Sequence, residues 1–271
     1  MYRIKRADRQ ETIRREEYIY KNGDVEESIE YLTFPILTDT GIVKHLFTTR
    51  IGGVSDGIFS SMNLNLNRGD NPERVRENYV RIGKVLDITP EDMVLSMQTH
   101  TTNIRRVYKE DAGKGIIKPP DYENVDGLVT NAEGIALVTS YADCVPLYFV
   151  DREKHATGLA HSGWRGTAAK MGIRMAEKMK EEFGSSPEDI VAAIGPSICR
   201  DCYEVSKEVA DEFTELFAGY EAFLDEISAS GYRSGYDRRN VCIVEAGKEK
   251  GKYRLDLWLA NLLLLRKAGI P

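Results

Sequence analysis

The most constraining feature of this sequence is a block of short apolar or alternating runs in its middle. They are Met93–Met97, Ile104–Tyr108, Gly127–Thr130, Ile135–Tyr141, Pro146–Val150 and Thr157–His161. Each is too short for a buried helix and is bounded by polar, Gly or Asn residues, which is the pattern of strands. A block of strands with helices set around it predicts an α+β fold more than a regular βαβ repeat.

The flanks carry clearer punctuation. Glu17–Tyr20 and Ser28–Phe34 are β-prone and enclose Asn22-Gly23, a hairpin turn signal. Val43–Thr49 reads as a further strand, followed by the turn Arg50-Ile51-Gly52-Gly53. Asn71-Pro72 predicts a helix start: Asn caps, and Pro fits the first turn. That helix is expected to reach Leu86, with Val75, Tyr79, Ile82 and Leu86 on one face. Further helices are expected over Gly166–Phe183, closed by Gly184, over Lys207–Phe217 and over Asp256–Lys267. Ile190–Ile194 reads as a strand. The stretch Glu221–Lys252, rich in Gly, Ser and charge, is the expected surface excursion. No boundary divides the chain, so residues 1–271 are expected to form a single domain.

Composition narrows the function classes. The net charge of −6 argues against nucleic acid as the main partner. The opening MYRIKRADRQETIRREEY is charged throughout and lacks the apolar core of a signal peptide. The longest apolar candidate, Leu255–Leu265, is interrupted by Asp256 and Asn261 and falls short of a membrane span. A cytoplasmic, monomeric protein with free thiols at Cys144, Cys199, Cys202 and Cys242 is the expectation.

Only four histidines are present: His45, His100, His155 and His161. His100 and His161 end predicted strands, and Cys144 lies just past a third, so the three can face one cleft. Two imidazoles and a thiolate suit zinc by ligand softness. Three protein ligands leave a fourth position for water or substrate. The spacing by itself matches no local zinc motif and equally describes a buried cysteine beside two structural histidines. Cys144 with His161 also permits a cysteine nucleophile and a histidine base, with Asp143 orienting the histidine.

Other motifs are weaker. The segment from His161 to Gly166 is a strand, a small-residue turn and a helix start, which can bind an anion at backbone N–H groups. There Arg165 could add a donor fork and Trp164 could stack on a base; a plain β–turn–α joint with a core Trp fits as well. Arg50 stands before a glycine turn. Gly195-Pro196-Ser197 reads as an ordinary turn. Cys199-Arg200-Asp201-Cys202 has redox or half-zinc spacing, but no second pair accompanies it, and two ordinary thiols are expected.

Read together, these segments resemble the YfiH or laccase-domain family, once called multicopper polyphenol oxidases and associated with purine nucleoside phosphorylase activity. The resemblance rests on Phe47-Thr48-Thr49-Arg50 with Gly52-Gly53-Val54-Ser55, Gln98-Thr99-His100, Asp126-Gly127-Leu128-Val129-Thr130 and Ala142-Asp143-Cys144-Val145-Pro146. It continues through Ala160-His161-Ser162-Gly163-Trp164-Arg165-Gly166, Ile194-Gly195-Pro196-Ser197-Ile198 and Cys202-Tyr203-Glu204-Val205. It implies His100, Cys144 and His161 as zinc ligands. It also implies an α+β fold with a central β-sandwich of mixed sheets flanked by helices, similar to the catalytic domain of cytotoxic necrotizing factor. The implied activities are phosphorolysis of adenosine, inosine, guanosine and methylthioadenosine, and deamination of adenosine.

Two departures stand out. Thr101 occupies the position after the first histidine, where the family usually has glycine. The family pattern also continues beyond Ala268-Gly269-Ile270-Pro271, with a Cys-containing turn and an aromatic–Ser–Tyr–Arg–Arg segment. A domain without that tail is therefore expected.

In this reading zinc sits at the base of a pocket for a purine nucleoside and phosphate. His100, Cys144, His161 and Asp143 carry the chemistry, and Arg50, Gln98, Trp164 and Arg165 hold substrate or phosphate. Three rivals remain. A copper-binding polyphenol oxidase is poorly served by four histidines with no His-x-His pair. A cysteine or zinc hydrolase acting on peptidoglycan precursors is the second. A non-catalytic nucleoside-binding protein is the third.

Overall fold

The computed structural model describes residues 11–229 and 241–271. The first half runs β1 (Arg14–Asn22), β2 (Val25–Thr33), α1 (Pro35–Thr38), β3 (Phe47–Thr48), α2 (Pro72–Leu86), β4 (Met93–Leu95) and β5 (Ile104–Arg106). The middle follows as β6 (Gly127–Thr130), β7 (Ala136–Val138), β8 (Val145–Asp151), β9 (Ala156–Ser162), α3 (Trp164–Ala168) and α4 (Met171–Phe183). The last part is β10 (Ile190–Ile194), β11 (Glu204–Val205), α5 (Lys207–Leu216), α6 (Glu221–Ala229), β12 (Val244–Ala246), β13 (Tyr253–Leu255) and α7 (Leu257–Lys267). This is a mixed α+β fold with several sheets.

The centre is a five-stranded sheet in the order β10-β8-β9-β6-β5. β5 and β6 are parallel, whereas the other neighbours are antiparallel. Every residue of β8 is buried, because both faces of the sheet are covered. Val145, Leu147 and Phe149 pack with Met171, Met175 and Met179 of α4 and the apolar face of α7. The alternate residues Tyr148 and Val150 pack on the other side with Phe34, Leu37 and Phe47. Period-2 alternation in one strand thus feeds two cores.

Smaller sheets surround the centre: β1-β2-β3, the parallel pair β4-β7, and β11-β13-β12. The hairpin turns at the predicted place, with Asn22 paired to Val25. α2 has its predicted bounds, and the Asn71 side chain accepts from the Glu73 N–H at 2.8 Å. Within the described residues no helix is long and apolar enough to cross a membrane.

Three expectations need correction. The strand over 43–49 contracts to Phe47–Thr48, the residues in register with Leu32 and Tyr31 of β2; His45 instead turns inward, its Nε2 accepting the Phe34 N–H at 2.8 Å. The helix over 166–183 starts earlier, at Trp164, and is broken into α3 and α4 by Lys170, whose φ of 64° is left-handed. α3 is held separately, because Asn261 of α7 donates to Thr167 while Ser162 bonds both. The stretch 221–252 is not simply a surface excursion: it contains α6 and β12, and residues 230–240 lie outside the described residues.

Candidate metal centre

Strand register builds the site. β9 lies between β8 and β6. Pairing of Pro146 with His161 places Cys144, the residue just before β8, beside the end of β9. Pairing of Gly127 with Ala160 places Asp126 next to His161 on the other side, and the His161 N–H donates to the Asp126 carbonyl at 2.8 Å. His100 arrives from the loop after β4. Its nitrogen, the Cys144 sulfur and the His161 nitrogen all lie within 4.8 Å of one another, with Cys144 Sγ 4.0 Å from His100 Nε2.

Asp126 organises this corner. It is fully buried. Its Oδ1 accepts from His161 Nδ1 at 2.8 Å and from the His100 N–H at 3.0 Å. Its Oδ2 accepts from the N–H groups of Thr99 (3.0 Å) and Thr101 (2.9 Å) and from the Thr101 hydroxyl (2.9 Å). One carboxylate therefore orients one histidine and pins the backbone that carries the other. Burial pushes the Asp126 carboxyl up, but the bonds from His161, Thr99 and Thr101 outweigh it and bring it down to about 2. Burial lowers His161, and its bond to Asp126 together with the nearby Cys144 more than reverses this, raising it to about 9.

Thr101, where the resemblance leads one to expect glycine, takes part in the same clamp and also bonds the Asn124 carbonyl. His100 itself sits at φ 65°, a left-handed conformation rare for a side-chain-bearing residue. The Asp126 bonds on either side hold it there.

The residues fit a metal ion. A histidine whose Nδ1 is held by a buried carboxylate presents Nε2 to a ligand, the usual outer-shell arrangement of a metal-binding imidazole. Gly163 opens space on the same point: a Cβ there would stand 2.7 Å from Cys144 Sγ and 3.3 Å from His100 Cδ2. The Tyr141 ring stands 5.8 Å from the His161 ring. The site opens on a wide groove of about 2100 Å³, whose walls include Arg50, Gln98, His100, Asp143, Cys144 and His161.

The other predicted residues lie apart or are already engaged. Asp143 is exposed, and the carboxylate that bonds His161 is Asp126. The sequence gives Asp126 no role, because the strand pairing that brings it to His161 leaves no local mark. Gln98 uses both ends of its amide, accepting from Ser140 N–H and Ser96 Oγ and donating to the Ser140 carbonyl at 2.7 Å. It fastens the loop after β4 to the loop after β7. Arg50 is exposed on the groove wall and donates to the Ser60 carbonyl of its own loop. Trp164 packs against the main core, and the exposed Arg165 lies over its ring at 4.4 Å; both stand outside the groove lining. Gly195 is a packing turn, its N–H donating to the Pro146 carbonyl. His45 and His155 line the same groove but are not part of the cluster.

Fold and site together define an α+β protein with an open two-histidine, one-cysteine centre fed by a buried aspartate. Residues 44–271 match the family described as multi-copper polyphenol oxidoreductase laccase. The chain belongs to that family. It is 35% identical over 243 residues to a purine nucleoside phosphorylase of Bacteroides thetaiotaomicron, covering 89% of this chain and 82% of that protein. It is 31% identical over 232 residues to adenosine deaminase RL5 of an unknown prokaryotic organism, covering 84% and 80%. The crystal structure of the hypothetical protein YfiH of Bacillus licheniformis superposes with a TM-score of 0.71 at 32% identity, covering 83% of this chain and 78% of that one.

Proposed function

We propose that this protein is a zinc-dependent purine nucleoside phosphorylase that also deaminates adenosine. The observation that carries the reading is the His100–Cys144–His161 cluster opening on the groove, supported by the names of the relatives. A mixed imidazole and thiolate set with one position left over suits zinc in a catalytic role. When bound, zinc supplies a Lewis acid and acidifies water. The set is poor for multicopper oxidation, since His45 and His155 lie elsewhere and the cluster holds only two histidines.

The chain's own residues do the rest. Asp126 keeps His161 in one tautomer and orientation through Nδ1. Gln98 and the Asp126 clamp hold the His100 loop rigid, so the ligands keep their places when substrate enters. In phosphorolysis a phosphate oxygen bonds to C1′ of the ribose as the C1′–N9 bond breaks, and the purine takes up a proton. Arg50, on the groove wall, is assigned to phosphate. Asp143, exposed beside Cys144, is assigned to proton transfer with solvent.

The test is chromatography of protein incubated with adenosine, with and without phosphate, beside Cys144→Ala. Phosphate-dependent adenine that disappears in the variant is expected. Inosine formed without phosphate dependence would reduce the activity to deamination. No product from folded, zinc-loaded protein would remove the nucleoside reading.

One rival has a specific observation behind it. Cys144, His161 and Asp126 also form a nucleophile, base and orienting carboxylate, which suits an amide hydrolase such as one editing peptidoglycan precursors. A chelator that leaves turnover intact while alkylation of Cys144 abolishes it would favour that rival.

A further inference from the structure

Cys199 and Cys202 are not absorbed by the site. Residues 200–202 form a single 3-10 turn with Cys199 at its N-cap, and the Cys202 N–H donates to the Cys199 carbonyl at 3.1 Å. A turn closed by this bond holds the Cα atoms within about 7 Å, which overlaps the separation a disulfide needs. The neighbouring Cys199 thiol holds the Cys202 thiol above its usual range, Asp201 adding to the effect and Lys248 opposing it. Cys202 is exposed to solvent while Cys199 is half-buried.

The turn is also held from both sides. Arg200, between the two cysteines, is buried, with its guanidinium 3.6 Å from Glu245 and 3.7 Å from Asp201. Before the pair, Ile198 N–H donates to the Asp143 carbonyl at 3.0 Å. After it, burial pushes the Tyr203 phenol up to about 12, an effect to which the Cys144 and Asp143 charges add and which Arg165 opposes. The pair therefore sits beside the metal-ligand loop.

We propose that Cys199 and Cys202 are a reversible dithiol–disulfide couple, a modification site on the edge of the metal centre. The oxidant is a small disulfide such as oxidised glutathione. The exposed Cys202 thiolate attacks one sulfur, forming a mixed disulfide and expelling one glutathione thiolate. Cys199 thiolate then attacks Cys202 sulfur, closing the intramolecular bond and expelling the second. Two electrons pass from the protein to the oxidant, and the two cysteine protons end on two glutathione molecules. Because the folded turn already holds the sulfurs together, the second step is fast, and the mixed disulfide does not accumulate.

The experiment equilibrates the full-length, folded protein in glutathione redox buffers, quenches with acid and maps thiols by mass spectrometry. The expected result is loss of two of the four thiols, a Cys199–Cys202 linked peptide, and full reversal by dithiothreitol. The equilibrium constant for closure should fall about tenfold or more in urea-unfolded protein, where the turn no longer holds the sulfurs together. Cys199→Ser should trap a glutathione adduct on Cys202, and Cys202→Ser should react at neither position, with thermal melts showing both variants folded. Stable glutathione adducts on the native protein, a bridge that includes Cys144 or Cys242, or equal closure in the folded and unfolded chain would overturn the proposal.

Discussion

The two walls of the groove are built on different principles. The metal wall is fixed from within: Asp126, fully buried, makes five hydrogen bonds that tie His161 and the 99–101 backbone into one unit. The other wall offers Arg50 from an exposed loop, its guanidinium donating to carbonyls of that same loop, Ser60 and, at 3.5 Å, Ile58. A metal centre needs its ligands held in place before the ion arrives, so it belongs on strand ends. An anion that comes and goes is served by a cation that can move. The comparison predicts that damage to the first wall spreads and damage to the second stays local.

The largest effect should come from Asp126→Asn. An amide cannot accept all five donors as a carboxylate does, so stability should fall by about 3 kcal/mol and zinc affinity by about 10- to 100-fold. Urea denaturation and competition with a chromogenic chelator measure the two. Equal stability in the variant would break the claim that one carboxylate organises the wall.

Acid should act on the same wall. Asp126 has its carboxyl lowered from 3.8 to about 2 in the folded protein. Its contribution is therefore complete above pH 4 and is lost as pH falls through 2, costing about 2 kcal/mol. The difference between native and Asp126→Asn protein, followed by urea titration from pH 5 downwards, should shrink over that window.

Gly163→Ala sharpens the comparison by leaving the hydrogen bonds intact. Its Cβ would crowd Cys144 Sγ and His100, so zinc affinity should fall about tenfold while stability changes by about 1 kcal/mol, typical of mild overpacking. On the other wall, Arg50→Ala should raise the phosphate KM about tenfold with kcat and bound zinc unchanged, as expected for uniform binding. An unchanged phosphate KM would remove Arg50 from the reading. Arg165→Ala, which removes one stacked, exposed guanidinium, should move stability by about 0.5 kcal/mol or less, and any phosphate effect should be smaller than that of Arg50→Ala.

Legibility in the sequence follows the range of the interactions involved. α2, β6 and β10 appear where local signals put them, because capping, alternation and turn residues are short-range information. The break at Lys170 was invisible, since it depends on Asn261 reaching Thr167 from α7. β11, β12 and β13 went unread because strands of two or three residues show no period. His100, Cys144 and His161 are visible as candidate ligands, but spacing alone does not join them; the resemblance does. Asp143 is the neighbour of Cys144 in sequence, yet the neighbour of His161 in space is Asp126, set by the β6–β9 register.

The left-handed backbone at His100 bears on how this protein could be engineered. A side chain in that conformation costs about 1 kcal/mol that glycine would not incur. A library selected only for thermal resistance of metal-free protein would therefore enrich glycine at position 100 and lose a candidate ligand in the process. Selections on this scaffold should be run with metal present and turnover as the readout, because at this one residue heat tolerance and chemistry pull in opposite directions.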